Sequence, residues 1–319
     1  MPRTRPAAPG GTGGPRCGCS PPAQYSSLPG RGMPPQPGEP YPTASHVVDY
    51  LRAYEARYDL PVIRPARVTT VHNGDTRLTV ETEQDQRFAA RIVISATGTW
   101  SRPYLPHYPG QRDFAGRQLH TVGYHGPEEF RGQRVVVVGG GNSAAQILAE
   151  ASTVADTRWV TTRQPRLLPD DVDGRVLFGV ASKYFLARQT GEESSGVAGL
   201  GDIVAVPPVR EARDRGVLHA EPMFTHLTEH GPAWADGRTE TADVIIWCTG
   251  FRPALAHLAP LRLRDQDGHL ALDGAHARGD NRIYPLGYGD WTGAASATLV
   301  GAARTAKTVD AEIARRAAA

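Results

Sequence analysis

Four consecutive valines, Val135 to Val138, follow Arg134 and run into Gly139-Gly-Gly141-Asn-Ser-Ala144, after which apolar residues recur at helical spacing as far as Ala151. A short, unbroken apolar run bounded by glycine reads as a strand buried on both faces. The change of period behind it marks a helix. The spacing Gly139-x-Gly141-x-x-Ala144 between such a strand and such a helix is the arrangement that holds a dinucleotide pyrophosphate. Gly139 permits the tight turn. Gly141 lets backbone amides approach the phosphates at the helix start formed by Asn142 and Ser143, and Ala144 is small enough for the helix to pack on its strand.

The next strand is expected over Arg158-Trp-Val-Thr-Thr162, ending in Arg163 with Arg166 close behind. In this kind of unit a carboxylate at the second strand's end binds the ribose of NAD, whereas an arginine accepts the 2′-phosphate of NADP. No carboxylate stands there. Thr162 and Arg163 therefore point to NADPH over NADH.

Elsewhere the pattern predicts a helix over His46 to Tyr58, capped by Thr43 or Ser45, with Val47, Tyr50, Leu51, Tyr54 and Tyr58 forming one buried face. Alternating strands are expected at 66–71, 77–81 and 87–90, with Asn73-Gly74 as a hairpin turn. A buried strand over 91–98 ends in Thr97-Gly98. A second, Asp243-Val-Ile-Ile-Trp-Cys-Thr-Gly250, ends in Thr249-Gly250 and echoes it. These two strands bracket the central motif, which predicts one domain inserted into another at the Thr-Gly ends. A weak amphipathic helix around Phe178 to Arg188, a mobile loop over Gly191 to Gly196, a hairpin-like pair (261–264 with 269–272) and a small-residue helix from about Ala294 to Ile313 complete the reading. The N-terminus of that last helix, behind Gly289, Asp290 and Gly293, offers its dipole to an anionic ligand.

Composition narrows the classes. Only Lys183 and Lys307 among 35 basic residues are lysine, and the formal charge of +2 argues against a nucleic-acid partner. No apolar run is long enough for a spanning helix, and the N-terminus lacks the apolar core of a secretion signal. A cytoplasmic location is expected, with no membrane partner. Cys17, Cys19 and Cys248 include no Cys-x-x-Cys, which removes a dithiol redox pair and a zinc ribbon. Cys248, inside an apolar strand, is expected in the core. Asp170, Asp171 and Asp173 beside Gly174 read as a solvated turn, so no metal is expected. Residues 1–22 contain no Val, Ile, Leu or aromatic side chain and are half Gly and Pro, the composition of a disordered tail.

Together these motifs give the chain a resemblance to class B flavin-dependent monooxygenases of the flavin-containing monooxygenase type, and in particular to the small FAD/NADPH oxidoreductases often encoded beside arsenic-resistance genes. Phe114-Ala-Gly-Arg-Gln-Leu-His-Thr-Val-Gly-Tyr124 matches the family's FxGxxxHxxxY signature at Phe114, Gly116, His120 and Tyr124. Ala96-Thr97-Gly98 and the segment from Asp243 to Pro253 resemble its two ATG segments, and Gly289-Asp290 its flavin-contacting pair. The resemblance implies an α/β flavoprotein with two Rossmann-like dinucleotide-binding domains. An NADPH domain (131–253) is inserted in an FAD domain (23–130 and 254–319).

The resemblance also implies FAD and NADPH as cofactors, O2 and a small molecule as reactants, and transfer of one oxygen atom to a soft S, N or As nucleophile through a flavin C4a-hydroperoxide. Thr97, Gly98, Thr249, Gly250, Gly289 and Asp290 would contact cofactor, Asp290 through the ribityl chain. His120 is the candidate for catalytic assistance, against a structural or gating role. The family's first βαβ unit, with its own glycine-rich loop for FAD, has no counterpart here. The chain is therefore expected to be N-terminally truncated or frame-shifted, with the familiar frame starting near Pro22. The competing class is a non-catalytic NADP-binding remnant with an incomplete flavin site.

Overall fold

The computed structural model describes residues 22–39, 41–170, 172, 203–266, 268–293 and 295–318. The expected tail, the helix around Phe178, the loop at Gly191, Asp171 and Asp173 lie outside the described residues. The chain divides into two compact units, one formed by Pro22–Arg102 with the residues from Arg252 onward, the other by Pro103–Phe251. Along the chain the second unit falls between the two stretches of the first, with limits at 102/103 and 251/252, whereas the sequence places the limits at 130/131 and 253/254; residues 103–130 group with the second unit.

In chain order the first unit begins with α1 (Ala44–Arg57), whose first turn is capped by Thr43 Oγ1 accepting from the His46 amide. Val47 and Tyr50 are buried, but Tyr58 is 40% exposed, so the aromatic face is narrower than its spacing predicts. The tyrosine hydroxyls fasten the preceding loop: Tyr50 donates to the Arg31 carbonyl at 2.7 Å and Tyr54 to that of Pro29 at 2.8 Å. Three antiparallel strands follow, β1 (Val68–Asn73), β2 (Leu78–Thr82) and β3 (Arg87–Ala90). The β1–β2 turn closes where Asn73-Gly74 predicts it, through the Gly74 amide on the Arg77 carbonyl. Then comes β4 (Val93–Ser95). It is shorter than expected and not buried throughout, since Ile94 is 51% exposed. A parallel strand hides both faces only where other elements cover them, and among the described residues β4 has a single strand partner.

The inserted unit contains β5 (Arg117–His120), β6 (Arg134–Val138), α2 (Asn142–Ala151), β7 (Asp156–Thr161), α3 (Pro207–Asp214), β8 (Ala220–Pro222), a two-stranded pair β9 (His226–Leu227) and β10 (Pro232–Ala233), and β11 (Val244–Trp247). Its five-stranded sheet runs β5-β11-β6-β7-β8 with every pairing parallel. The valine run of β6 and the Val-Ile-Ile-Trp run of β11 are buried at every apolar position. They lie side by side at the centre, Val138 level with Trp247. Ala144, Ala145, Ile147 and Leu148 of α2 pack over one face together with Phe130.

The chain returns to the first unit with a small pair, β12 (Leu272–Asp273) and β13 (His276–Ala277), then β14 (Ile283–Pro285) and α4 (Leu299–Ala318). β14 pairs in parallel with β4, Pro285 level with Ser95. The expected hairpin at 261–272 reduces to the bridge Arg264–Leu270. The last helix starts at Leu299 and not near Ala294 because a series of hydroxyl-bonded turns occupies the intervening residues.

Candidate nucleotide sites

In the inserted unit the candidate site forms where the topology reverses. From β6 the chain moves through α2 to β7 and later β8 on one side, while β11 lies on the other. The crevice outside the carboxyl end of β6 is therefore a switch point, where open parallel sheets take their ligands. Gly139 has φ +133°, and a Cβ there would collide with the Cys248 carbonyl oxygen, so the residue must be glycine. Its carbonyl accepts from the Trp159 indole at 2.7 Å and its amide donates to Val160, which pins the turn against β7.

Gly141 differs. Its backbone is extended, no side chain caps the helix behind it, and a Cβ would meet nothing within 4 Å. The first-turn amides of α2 lack intrahelical acceptors and no side chain caps them, the arrangement that an anionic pyrophosphate fits. Ala144 is fully buried, as its packing role requires, and Ser143 is half-buried beside it. Asn142 is already engaged, its Oδ1 accepting from the Val204 amide at 2.7 Å. Thr162 and Arg163 directly follow β7, and both are exposed.

The signature residues have structural employment. Phe114 is buried, and a Cβ on Gly116 would collide with its ring and stand 2.7 Å from the Asp243 carbonyl. Tyr124 stacks parallel to Phe130 and donates to Glu150 at 2.8 Å. Burial raises the Glu150 pKa, and that hydrogen bond opposes the rise. His120 is buried at the end of β5. Its Nδ1 accepts from the Val122 amide at 3.4 Å, which makes Nε2 the donor to the Gly250 carbonyl at 2.9 Å. Burial lowers its pKa against that second bond, so the ring is neutral. Both ring nitrogens are thus hydrogen-bonded to backbone of the same unit, an arrangement that suits a positioning role. Cys248 is partly buried and packs against the core of the inserted unit, and desolvation pushes its thiol up to about 12. Asp170 pairs with Arg213 at 2.7 Å, and no metal-binding cluster occurs among the described residues.

In the first unit, Thr97-Gly98 and Gly289 lie just beyond the carboxyl ends of β4 and β14. Gly98 and Gly289 have positive φ, and a Cβ on either would meet nothing within 4 Å, leaving room for a flat ligand. Asp290 opens the short turn Asp290–Thr292. The threonines of the two Thr-Gly ends have an unexpected task. Thr97 Oγ1 donates to the Ala254 carbonyl at 2.7 Å and, in the other unit, Thr249 Oγ1 donates to that of Tyr104 at 2.5 Å. The N-terminus of α4 is capped by Thr298, whose Oγ1 accepts from the Gly301 amide at 3.1 Å, so the dipole anticipated there already has a partner. Among the described residues of this unit no strand, glycine loop and helix combine into a second pyrophosphate cradle.

A buried glycine turn at a parallel switch point is the arrangement of a Rossmann-like dinucleotide-binding unit, and in this chain that unit falls between two stretches of a second one. The family model for pyridine nucleotide-disulphide oxidoreductases matches residues 31–173. A flavin-containing monooxygenase from Stenotrophomonas maltophilia is 46% identical over 93% of this chain and 84% of its own, with a TM-score of 0.83. An uncharacterized CzcO-like oxidoreductase from Geobacillus kaustophilus is 27% identical over 72% of this chain and spans 66% of that relative's length. An indole-3-pyruvate monooxygenase of Oryza sativa subsp. japonica is 25% identical over 78% of this chain and 70% of its own. The chain belongs to the flavin-containing monooxygenase family.

Proposed function

We propose that the chain is an NADPH-dependent flavoprotein that transfers one oxygen atom from O2 to a small soft nucleophile carrying sulfur, nitrogen or arsenic. The observation carrying this reading is the uncapped helix start beyond Gly141, beside a glycine turn that admits no side chain, in a chain whose other unit opens Gly98 and Gly289 at adjacent strand ends. FAD, when bound, supplies the two-electron chemistry, accepting hydride from NADPH and activating O2. The protein binds and orients. The α2 amides hold the NADPH pyrophosphate, and Arg163 at the end of β7 selects the 2′-phosphate. Thr97, Gly98, Gly289 and Asp290 border the flavin, while Thr249 and Gly250 close the cofactor side of the inserted unit. His120 fixes the Gly250 carbonyl in that unit. The absence of any Cys-x-x-Cys in the sequence speaks against dithiol chemistry.

A second reading is favoured by the lack of an FAD pyrophosphate cradle among the described residues: an NADP-binding protein with an incomplete flavin site. The visible spectrum of the purified protein separates the two. Paired oxidised-flavin bands at stoichiometric FAD support the first, and NADPH oxidation under air with thiols, amines and arsenite then finds the substrate class. NADPH binding without flavin bands, even after added FAD, establishes the second.

A further inference from the structure

Between the carboxyl ends of β4 and β14 lies a buried polar cluster that the proposed chemistry does not use. Tyr288 Oη is 2.6 Å from Ser95 Oγ, 2.7 Å from Thr97 Oγ1 and 3.3 Å from the Thr97 amide. Ser95 Oγ is also 3.0 Å from His257 Nε2, and Thr97 Oγ1 donates to the Ala254 carbonyl. Ser95, Tyr288 and His257 are each buried.

Thr97 Oγ1 gives its hydrogen to the Ala254 carbonyl, so Tyr288 Oη donates to Thr97 and accepts from Ser95 Oγ and from the Thr97 amide. His257, whose Nε2 is 3.0 Å from Ser95 Oγ, also bonds the Ala254 backbone. No buried side-chain polar atom lacks a partner among the described residues.

One residue beyond Tyr288, a second clamp holds Gly289. Its amide donates to Ser296 Oγ at 3.1 Å, and its carbonyl accepts from Ser296 at 2.7 Å and from Thr292 at 2.9 Å. Thr292 Oγ1 in turn accepts from the Tyr288 amide. Tyr288 thus joins the strand end carrying Thr97-Gly98 to the turn carrying Gly289.

We propose that Tyr288 is a positioning residue for the flavin: its hydroxyl locks these two glycine-bearing segments into one register, so that they present a single preformed surface to the ring system. The proposal rests on the reading that this unit holds FAD. Preorganised surfaces gain affinity by avoiding ordering costs at binding. Tyr288→Phe keeps the ring, and with it the stacking on Trp291, but breaks the chain of donors at its centre.

The test is FAD titration by quenching of flavin fluorescence, with the visible spectrum of the bound flavin and the melting temperature recorded beside it. Tyr288→Phe and Ser95→Ala are each expected to weaken FAD about tenfold. The double variant should be no weaker than the worse single, because both break one chain, and the visible bands should shift. Leu258→Ala, in the same core but outside the cluster, should lower the melting temperature and leave FAD affinity within twofold. FAD affinity within twofold of wild type in both Tyr288→Phe and Ser95→Ala overturns the proposal, as does affinity that simply follows melting temperature across all variants. If Tyr288→Phe does not fold, Ser95→Ala decides alone. Wild-type protein that takes up no FAD overturns the flavin reading and this inference with it, whereas flavin uptake with indifferent variants overturns the inference only.

Discussion

Gly141→Ala separates the ligand role of the glycine turn from its structural role. At Gly141 the backbone is extended and an added methyl group meets no protein atom within 4 Å. The substitution meets no steric barrier and removes conformational freedom from the unfolded chain, a gain of about 0.4–1 kcal/mol that alanine's poorer fit at a helix N-cap offsets, so stability should stay near that of the wild type. If the NADPH pyrophosphate rests on the α2 amides, the same methyl occupies its path. Loss of one charge-assisted amide–phosphate hydrogen bond costs about 1.5–3 kcal/mol, or roughly 10- to 150-fold in affinity at about 1.4 kcal/mol per tenfold. Gly139→Ala is the contrast. There the methyl meets the Cys248 carbonyl in a backbone conformation that side chains rarely adopt, so stability and binding should fall together. Calorimetric NADPH titration and thermal unfolding on both variants give the comparison. An NADPH affinity unchanged in Gly141→Ala, with melting also unchanged, would refute the cradle. A melting temperature lowered as far as in Gly139→Ala would refute the open space.

Arg163→Ala should raise the Michaelis constant for NADPH about tenfold, the worth of one charge-assisted phosphate contact, and leave that for NADH alone; an unchanged NADPH/NADH ratio would remove Arg163 from the site. Glu150 has a folded pKa above its unfolded value near 4.5, so the folded state holds its proton longer. The contribution of Glu150 to stability is therefore fully present below about pH 4.5 and is lost as pH rises through the folded value. Glu150→Gln should abolish that decline in melting curves taken from pH 4 to 8 while still accepting from Tyr124; a wild-type pH profile in the variant would contradict this account.

The parts of the molecule legible in the sequence were those set by near neighbours. The valine run, Gly139 and Ala144 encode strand, turn and packing within a dozen residues, and Thr43 encodes a helix start within four. Parts set by distant partners were not. Residues 117–120 show no strand pattern of their own, and His120 reaches the sheet because Trp247 pairs with it. That pairing draws residues 103–130 into the inserted unit. Ile94 and Tyr58 have the spacing of buried residues, yet burial depends on what lies opposite. The hydroxyl chain through Ser95, Thr97 and Tyr288 spans nearly two hundred positions, and nothing local marks those residue types. Thr97 and Thr249 were visible as an echo, but the carbonyls they hold were not.

The two crossings between the units lie together. Pro103 and Phe251 form a bridge at the ends of the inserted unit, and the Arg252 amide donates to the Arg102 carbonyl in its host. To the host fold the entire insertion is thus equivalent to the closed tip of a hairpin. Because closure entropy grows only slowly with loop length and the guest joins its own ends, the host need not register the guest's size. Such a junction lets the inserted unit change in length without altering the gap that the host chain has to close.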